Sequence, residues 1–196
     1  VSGFETDAFD AAAVHNLVIH RPTGDAIGTA RLILPELAPE GLPIEQLLAE
    51  NGLCAGNYFP VASAAEVSRF AISNAFRRRP GDNGVAPDQA SRDRECRSAM
   101  PCLGLIQEVL RQSNVLGLTH WAAVMEPKLL RMLALMGIHF TPVGPLVSHH
   151  GLRQPSYACI AQAMERLKRE RPDHWMVVTD GGRLMPAEQA PVRRAA

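Results

Sequence analysis

Two runs of β-forming apolar residues open the chain, over 14–20 and 26–34, separated by Arg21, Pro22, Thr23, Gly24 and Asp25. The Pro, Gly and Asp of that separator are turn formers, so the pattern predicts a β-hairpin. In the second run Ala30, Leu32 and Leu34 share one face of a strand, and Arg31 and Ile33 share the other. Arg31 is therefore either solvated or turned into a site. Residues 37–56, rich in Pro and Gly, read as a surface excursion with one short helix over 44–50. A third run, 66–73, predicts a central strand from Val67, Phe70 and Ile72, yet Glu66 and Arg69 sit among these apolar positions. A charge entering a buried strand must be paired or used. A structural Glu66–Arg69 ion pair and a chemical role are both open from spacing alone.

Beyond this strand the pattern loosens. Residues 80–97 hold almost no large apolar side chain and predict a long mobile loop. Leu103, Ile106, Val109 and Leu110 then recur at helical spacing, which predicts an amphipathic helix over 99–116 with Pro101 in its first turn. A strand over 118–125 follows, then a helix from Pro127 through Met136 that Gly137 ends. Strands over 138–147 and 156–160, a charged amphipathic helix over 161–170 and an element of undetermined type over 174–179 complete the pattern. Residues 1–180 are expected to form one domain, and 181–196 a disordered tail.

Composition narrows the function classes. A chain of 196 residues with 46% hydrophobic content can build a substantial single core. The formal net charge is zero, with 20 basic and 20 acidic residues, so nothing global calls for nucleic acid or an anionic membrane. Any polyanion site must be local. Cys54, Cys96, Cys102 and Cys159 show neither a C-x-x-C pair nor metal-ligand spacing and read as reduced thiols. No apolar run reaches a membrane span, and the first ten residues lack the features of a signal peptide, so a cytoplasmic location is expected.

The segment Glu66-x-Ser68-Arg69-Phe70 is preceded by Gly28-Thr29-Ala30-Arg31-Leu32-Ile33-Leu34-Pro35 and by Glu5-x-Asp7-x-Phe9-Asp10. Together they resemble the acyl-homoserine-lactone synthases and the long-chain N-acyl amino acid synthases, both of the GNAT acyltransferase superfamily. With Phe76-Arg77-Arg78-Arg79, Met125-Glu126-Pro127 and His149-His150-Gly151-x-Arg153 added, the pattern resembles the PEP-CTERM/exosortase system-associated acyltransferases. The resemblance implies an α/β (α+β) GNAT-like fold, with a mixed, mostly antiparallel central sheet flanked by helices. It also places the Asp7 motif well inside the domain, so a preceding helix and first strand are expected to be missing from this polypeptide.

The same resemblance implies a site. Two neighbouring strands, 65–73 and 118–125, splay to admit a pantetheine arm. Backbone N–H groups near Phe70, Ala71 and Ile72 meet the thioester oxygen. Glu66 takes the amine proton, directly or through water, and Arg69 and Arg31 orient carboxylates or shape the pocket. The usual phosphate loop, Q/R-x-x-G-x-G/A, is not present after this strand. Arg77, Arg78 and Arg79 stand there instead and suit one phosphate and the acidic surface of an acyl carrier protein. Asp7 and Asp10 either bind a cationic acceptor such as S-adenosylmethionine or fix a loop by capping. Of His149, His150 and Arg153, one histidine facing the acyl cleft is favoured over a metal site, because adjacent histidines on a strand point to opposite faces. Neither a metal nor a tightly bound cofactor is expected. The donor is the acyl-phosphopantetheine of acyl carrier protein, with a coenzyme A thioester possible, and the acceptor a small amine or amino acid. Lactone synthesis and a non-catalytic carrier-binding regulator are the alternatives.

Overall fold

The computed structural model describes residues 5–73, 89–149 and 151–185, with side chains described from residue 99 onward in the long second helix. The hairpin forms as the pattern predicts, from β1 (Ala13–His20) and β2 (Asp25–Ile33). β3 (Ala64–Ile72) and β4 (His120–Met125) follow, then two short strands, β5 (Thr141–Pro142) and β6 (Val147–Ser148), and finally β7 (Leu152–Cys159). Along the sheet the order is β1-β2-β3-β4-β7-β5, with β6 also against β7. Every pairing is antiparallel except that of β3 with β4. Flanking it are α1 (Pro43–Glu50), α2 (Gln89–Val115), α3 (Pro127–Leu135), α4 (Ile160–Glu170) and α5 (Pro172–Val178).

Strand alternation gives the sheet two different faces. Leu32, Ala65, Val67 and Trp121 turn to one, where Leu103, Ile106 and Leu110 of α2 cover them. Ile33, Ala64 and Ala122 turn to the other, where they meet Leu42, Ile44, Leu48 and Phe59. The 37–56 segment is thus a core layer and not a surface excursion. Leu42, Ile44 and Leu48 are at most 1% exposed, and each such burial stabilises by about 1.5–3 kcal/mol. Its Pro and Gly residues shape the approach to α1 without keeping the intervening apolar side chains in water.

Three other expectations change. α2 begins at Gln89, so the part of the predicted 80–97 loop from 89 onward is helical, and Pro101 lies inside the helix instead of in its first turn. Gln, Ala, Arg and Glu dominate that stretch, and their helix propensity needs no apolar face. The single strand predicted over 138–147 is two two-residue strands, because Pro142 and Pro145 withhold ladder donors and Gly144 takes φ +63° between them. The undetermined 174–179 element is helical, α5.

One irregularity positions the site. β2 and β3 pair Arg31 with Ser68 and Thr29 with Ala71, so Arg69 and Phe70 together oppose Ala30. This is a β-bulge, and Arg69 takes φ +48° in it, a left-handed conformation for a non-glycine residue. The extra residue resets the alternation, so Phe70 and Ile72 join Val67 on the α2 face.

Candidate active site

Arg31 and Ser68 face each other across β2 and β3, and Arg31 Nε donates to Ser68 Oγ at 2.9 Å. Arg31 is 4% exposed. Its Nη1 donates to Asp7 Oδ1 and to Asp10 Oδ1, both at 2.7 Å. The bulge carries Arg69 to the same two carboxylates: Nη1 to Asp10 Oδ1 at 2.7 Å and Nη2 to Asp7 Oδ2 at 3.2 Å. Asp7 Oδ1 also accepts the Phe9 amide, and Asp10 Oδ2 the Asp7 amide. Burial works to raise the Asp7 carboxyl, but the hydrogen bonds from Arg31 and Phe9 outweigh it and hold the group below its ordinary value. For Asp10 the amide of Asp7 is the main lowering influence, joined by both arginines. Each aspartate therefore closes its own loop and is also ion-paired, while Arg69 Nε is buried without a hydrogen-bond partner.

Glu66 lies apart from this cluster. It does not pair with Arg69 among the described residues. Its Oε2 accepts the Ile44 amide in the first turn of α1 at 2.7 Å, and the residue is 3% exposed. Burial raises its carboxyl to about 7, against the lowering pull of the Ile44 N–H and of Arg31. A carboxyl poised near neutrality can both take and return a proton at physiological pH.

On the other face the strands part. β3 and β4 pair only at Ala64–His120, Ala65–Trp121 and Glu66–Ala122. Past that point the β4-side edge of β3, which includes the bulge, has no strand partner among the described residues. A small apolar pocket of about 20 Å³ sits in this splay between lining atoms that include Val67, Phe70, Trp121, Met125, Leu133 and Phe140. The charged cluster and this pocket thus occupy opposite faces of the sheet and meet where it opens.

The remaining expected residues fall elsewhere. Arg153 pairs with Glu126 at 2.6 Å, just past the end of β4. His149 is exposed in the turn after β6, not on a strand, so the opposite-faces argument against a metal does not apply as framed. Among the described residues no cluster of His, Cys, Asp or Glu could hold a metal ion. Arg77, Arg78, Arg79 and His150 lie outside the described residues. Two contributors escaped the sequence reading. The Ile44 amide was hidden because the segment carrying it looked like surface, and only its helix start, Pro43 with Glu45 two residues on, signalled a turn with free N–H groups. Trp121 read as an ordinary strand residue.

Residues 1–85 match the family model described as Acetyltransferase (GNAT) domain. No curated protein matches the sequence. Among solved structures, TofI in an apo form is 23% identical, with a TM-score of 0.56 over 84% of this chain and 78% of that one. BjaI, a CoA-dependent acyl-homoserine lactone synthase with SAM and isopentyl-CoA, is 19% identical, with a TM-score of 0.55 over 93% and 70%. The AHL synthase LasI is 20% identical, with a TM-score of 0.54 over 80% and 69%. At such identities the likeness is one of architecture: the chain has a GNAT-like fold.

Proposed function

We propose that the protein is an N-acyltransferase that moves a fatty acyl group from a pantetheine thioester to a small amine or amino acid. What supports this reading is the meeting of an apolar pocket and a charged cluster built on the buried Arg31, beside the opening between β3 and β4. The acyl chain lies in the pocket, with its thioester at the splay. The amine nitrogen attacks the carbonyl carbon, the C–N bond forms, the C–S bond breaks, and the sulfur leaves as a thiol on its carrier after taking a proton. Glu66 receives the amine proton, directly or through water. N–H groups of β3 around Phe70 and Ile72, on an edge with no strand partner among the described residues, meet the oxygen as it gains charge. Arg31 and Arg69 neutralise Asp7 and Asp10 and shape the acceptor side.

Arg77, Arg78 and Arg79, which follow β3 in sequence, favour acyl carrier protein as donor over a coenzyme A thioester. The likeness of the segment beyond Arg69 to the exosortase-associated and N-acyl amino acid groups favours an amide product. Lactone synthesis is the second reading, since BjaI and LasI are named for it. Against it, both aspartates that would attract a sulfonium are already paired with arginines. The test incubates the protein with acyl-carrier protein and either an amino-acid mixture or S-adenosylmethionine, with mass spectrometry of the products. An N-acyl amino acid is expected. A homoserine lactone alone would select the second reading, and carrier binding without transfer would leave the regulator.

A further inference from the structure

We infer that the first turn of α1 is part of the reaction machinery: the Ile44 N–H pins one oxygen of Glu66 and leaves the other to exchange the proton, an inference that rests on the acyl-transfer reading above. The donors of that turn can be followed one by one. Leu42 N–H donates to Glu45 Oε2 at 2.8 Å, Pro43 has no N–H, and the N–H groups of Glu45 and Gln46 both turn to Leu42 O. Ile44 N–H is the one among them that leaves the helix, and it donates to Glu66 Oε2 at 2.7 Å. A helix N-terminus leaves such donors without intrahelical partners and gathers partial positive charge there. Proline at the first position removes the neighbouring donor, so the turn offers the carboxyl a single N–H.

The carboxyl is held in one orientation. Glu66 stands between its register partners Ile33 on β2 and Ala122 on β4, and Ile33, Ala122 and Ile44 are all fully buried. Turning the carboxyl away would leave the Ile44 N–H unpaired in that setting, which the fold resists. Glu66 Oε1 accepts no hydrogen bond among the described residues, yet it is not one of the buried polar atoms left without a partner, so it keeps contact with solvent. Oε1 is therefore the oxygen that a water or an amine can reach. The ionisable groups around the carboxyl are Arg31 on β2, Glu45 in α1 and Asp7 ahead of β1. Glu45 and Asp7 oppose its charge, while Arg31 and the Ile44 N–H favour it. Arg31 is hydrogen-bonded to Asp7, Asp10 and Ser68, and Glu45 to Leu42, so among the described residues Ile44 alone touches the carboxylate. A donor on Oε2 itself fixes where the proton sits, which a charge farther off cannot do.

Ile44 is thus a positioning residue, and its test is a pH titration followed by NMR and by rate. In the isotopically labelled native protein the Ile44 amide proton and the Glu66 carboxyl carbon should titrate together. The rise of kcat/KM with pH, measured with saturated acyl-carrier protein thioesters and an amino-acid mixture, should share their midpoint. In Glu66→Gln the Ile44 amide should no longer titrate over that range. Exchanging Ile44 for its α-hydroxy acid turns the amide into an ester, which keeps the side chain and removes the N–H. The rise in kcat/KM should then move to higher pH, with the rate at pH 6 lowered about tenfold and the rate at pH 9 changed less than about threefold. Leu48→Val loosens the packing of α1 but keeps its first-turn donors, and should leave the midpoint where it is. Should the ester protein fail to fold, the native titration decides alone. An Ile44 amide that ignores the Glu66 titration, or an ester protein that transfers acyl groups with an unmoved pH profile, would overturn the positioning role and leave acyl transfer standing. Joint titration in a protein that transfers no acyl group would overturn the function, and with it the catalytic meaning of the contact.

Discussion

Glu66, the base in the proposed reaction, is a carboxyl whose environment works against its charge. Its folded value of about 7 stands above the ordinary 4.5, so between those values the folded chain keeps a proton that the unfolded chain has released. Stability from this group is therefore full below about pH 4.5 and lost as pH rises through 7, a change on the order of 3 kcal/mol. Asp7 and Asp10 act in the opposite sense, stabilising above their ordinary values and losing that contribution as pH falls. Glu66→Gln still accepts from the Ile44 amide but cannot ionise. It should lower acyl transfer by about a hundredfold or more with the fold intact, and urea unfolding at pH 6 and pH 8 should show a smaller loss of stability than the native protein. An unchanged rate would remove Glu66 from catalysis. Arg69 presents the second case. Its fork spans Asp7 and Asp10 from a bulge residue at φ +48°, and an ammonium cannot span both. Arg69→Lys should cost about tenfold or more in rate, and near-native turnover would show that the two-pronged contact is dispensable.

At the scale of elements, the sequence announced the strands and helices whose periodicity is strong, namely the β1–β2 hairpin, β3, β4, α3 and α4. It could not announce α1 as a core layer, since the apolar Leu42, Ile44 and Leu48 are interleaved with Pro, Gly and Glu, and only tertiary contact shows which side of that segment is buried. Nor could it show the bulge. Period-two alternation through 66–73 would have put Phe70 with Glu66 and Ser68, and one extra residue reverses that assignment. The candidate site was legible as residue types: Asp7, Asp10, Arg31 and Arg69 do come together. Their partners were not, because an Asp–Arg pairing across some 20 to 60 residues leaves no local signature. The β2–β3 contact behind the bulge offers a direct check. A Cβ at Gly28 would lie 2.6 Å from Ile72 Cδ1 and 3.3 Å from both Ala71 O and Leu105 Cδ1. Gly28→Ala should destabilise by about 1–3 kcal/mol in denaturant unfolding, since strand and helix close on that position together. A neutral effect would mean that Ile72 turns aside at no cost.

Among the described residues the apolar pocket and the charged cluster lie on opposite faces of one sheet and meet where β3 and β4 part, and under the proposed function that arrangement bears on the donor. In the proposed reaction the acyl chain enters from the open end of the splay, past the end of β4, where Arg153 pairs with Glu126 and Lys128 is exposed at the start of α3. Arg77, Arg78 and Arg79 follow in the chain, with four residues between them and the end of β3. A coenzyme A donor brings a diphosphate and a 3′-phosphate, usually met by N–H groups of a glycine-rich loop at a helix N-terminus, and that loop motif is not found after β3. A carrier-bound arm brings one phosphate within an acidic protein surface, which a cluster of arginines attracts over a distance of roughly 10 Å at moderate salt. The expected outcome is faster transfer from acyl carrier protein than from the matching coenzyme A thioester, with the carrier reaction slowed by added salt. Replacing Arg77, Arg78 and Arg79 together by Gln should weaken the carrier reaction while barely altering a slow reaction with a small acyl-pantetheine. The decisive measurement is the initial rate with both donors at two ionic strengths. Equal or faster use of coenzyme A, with a carrier reaction insensitive to salt, would assign the donor to coenzyme A and release the three arginines from any part in binding it.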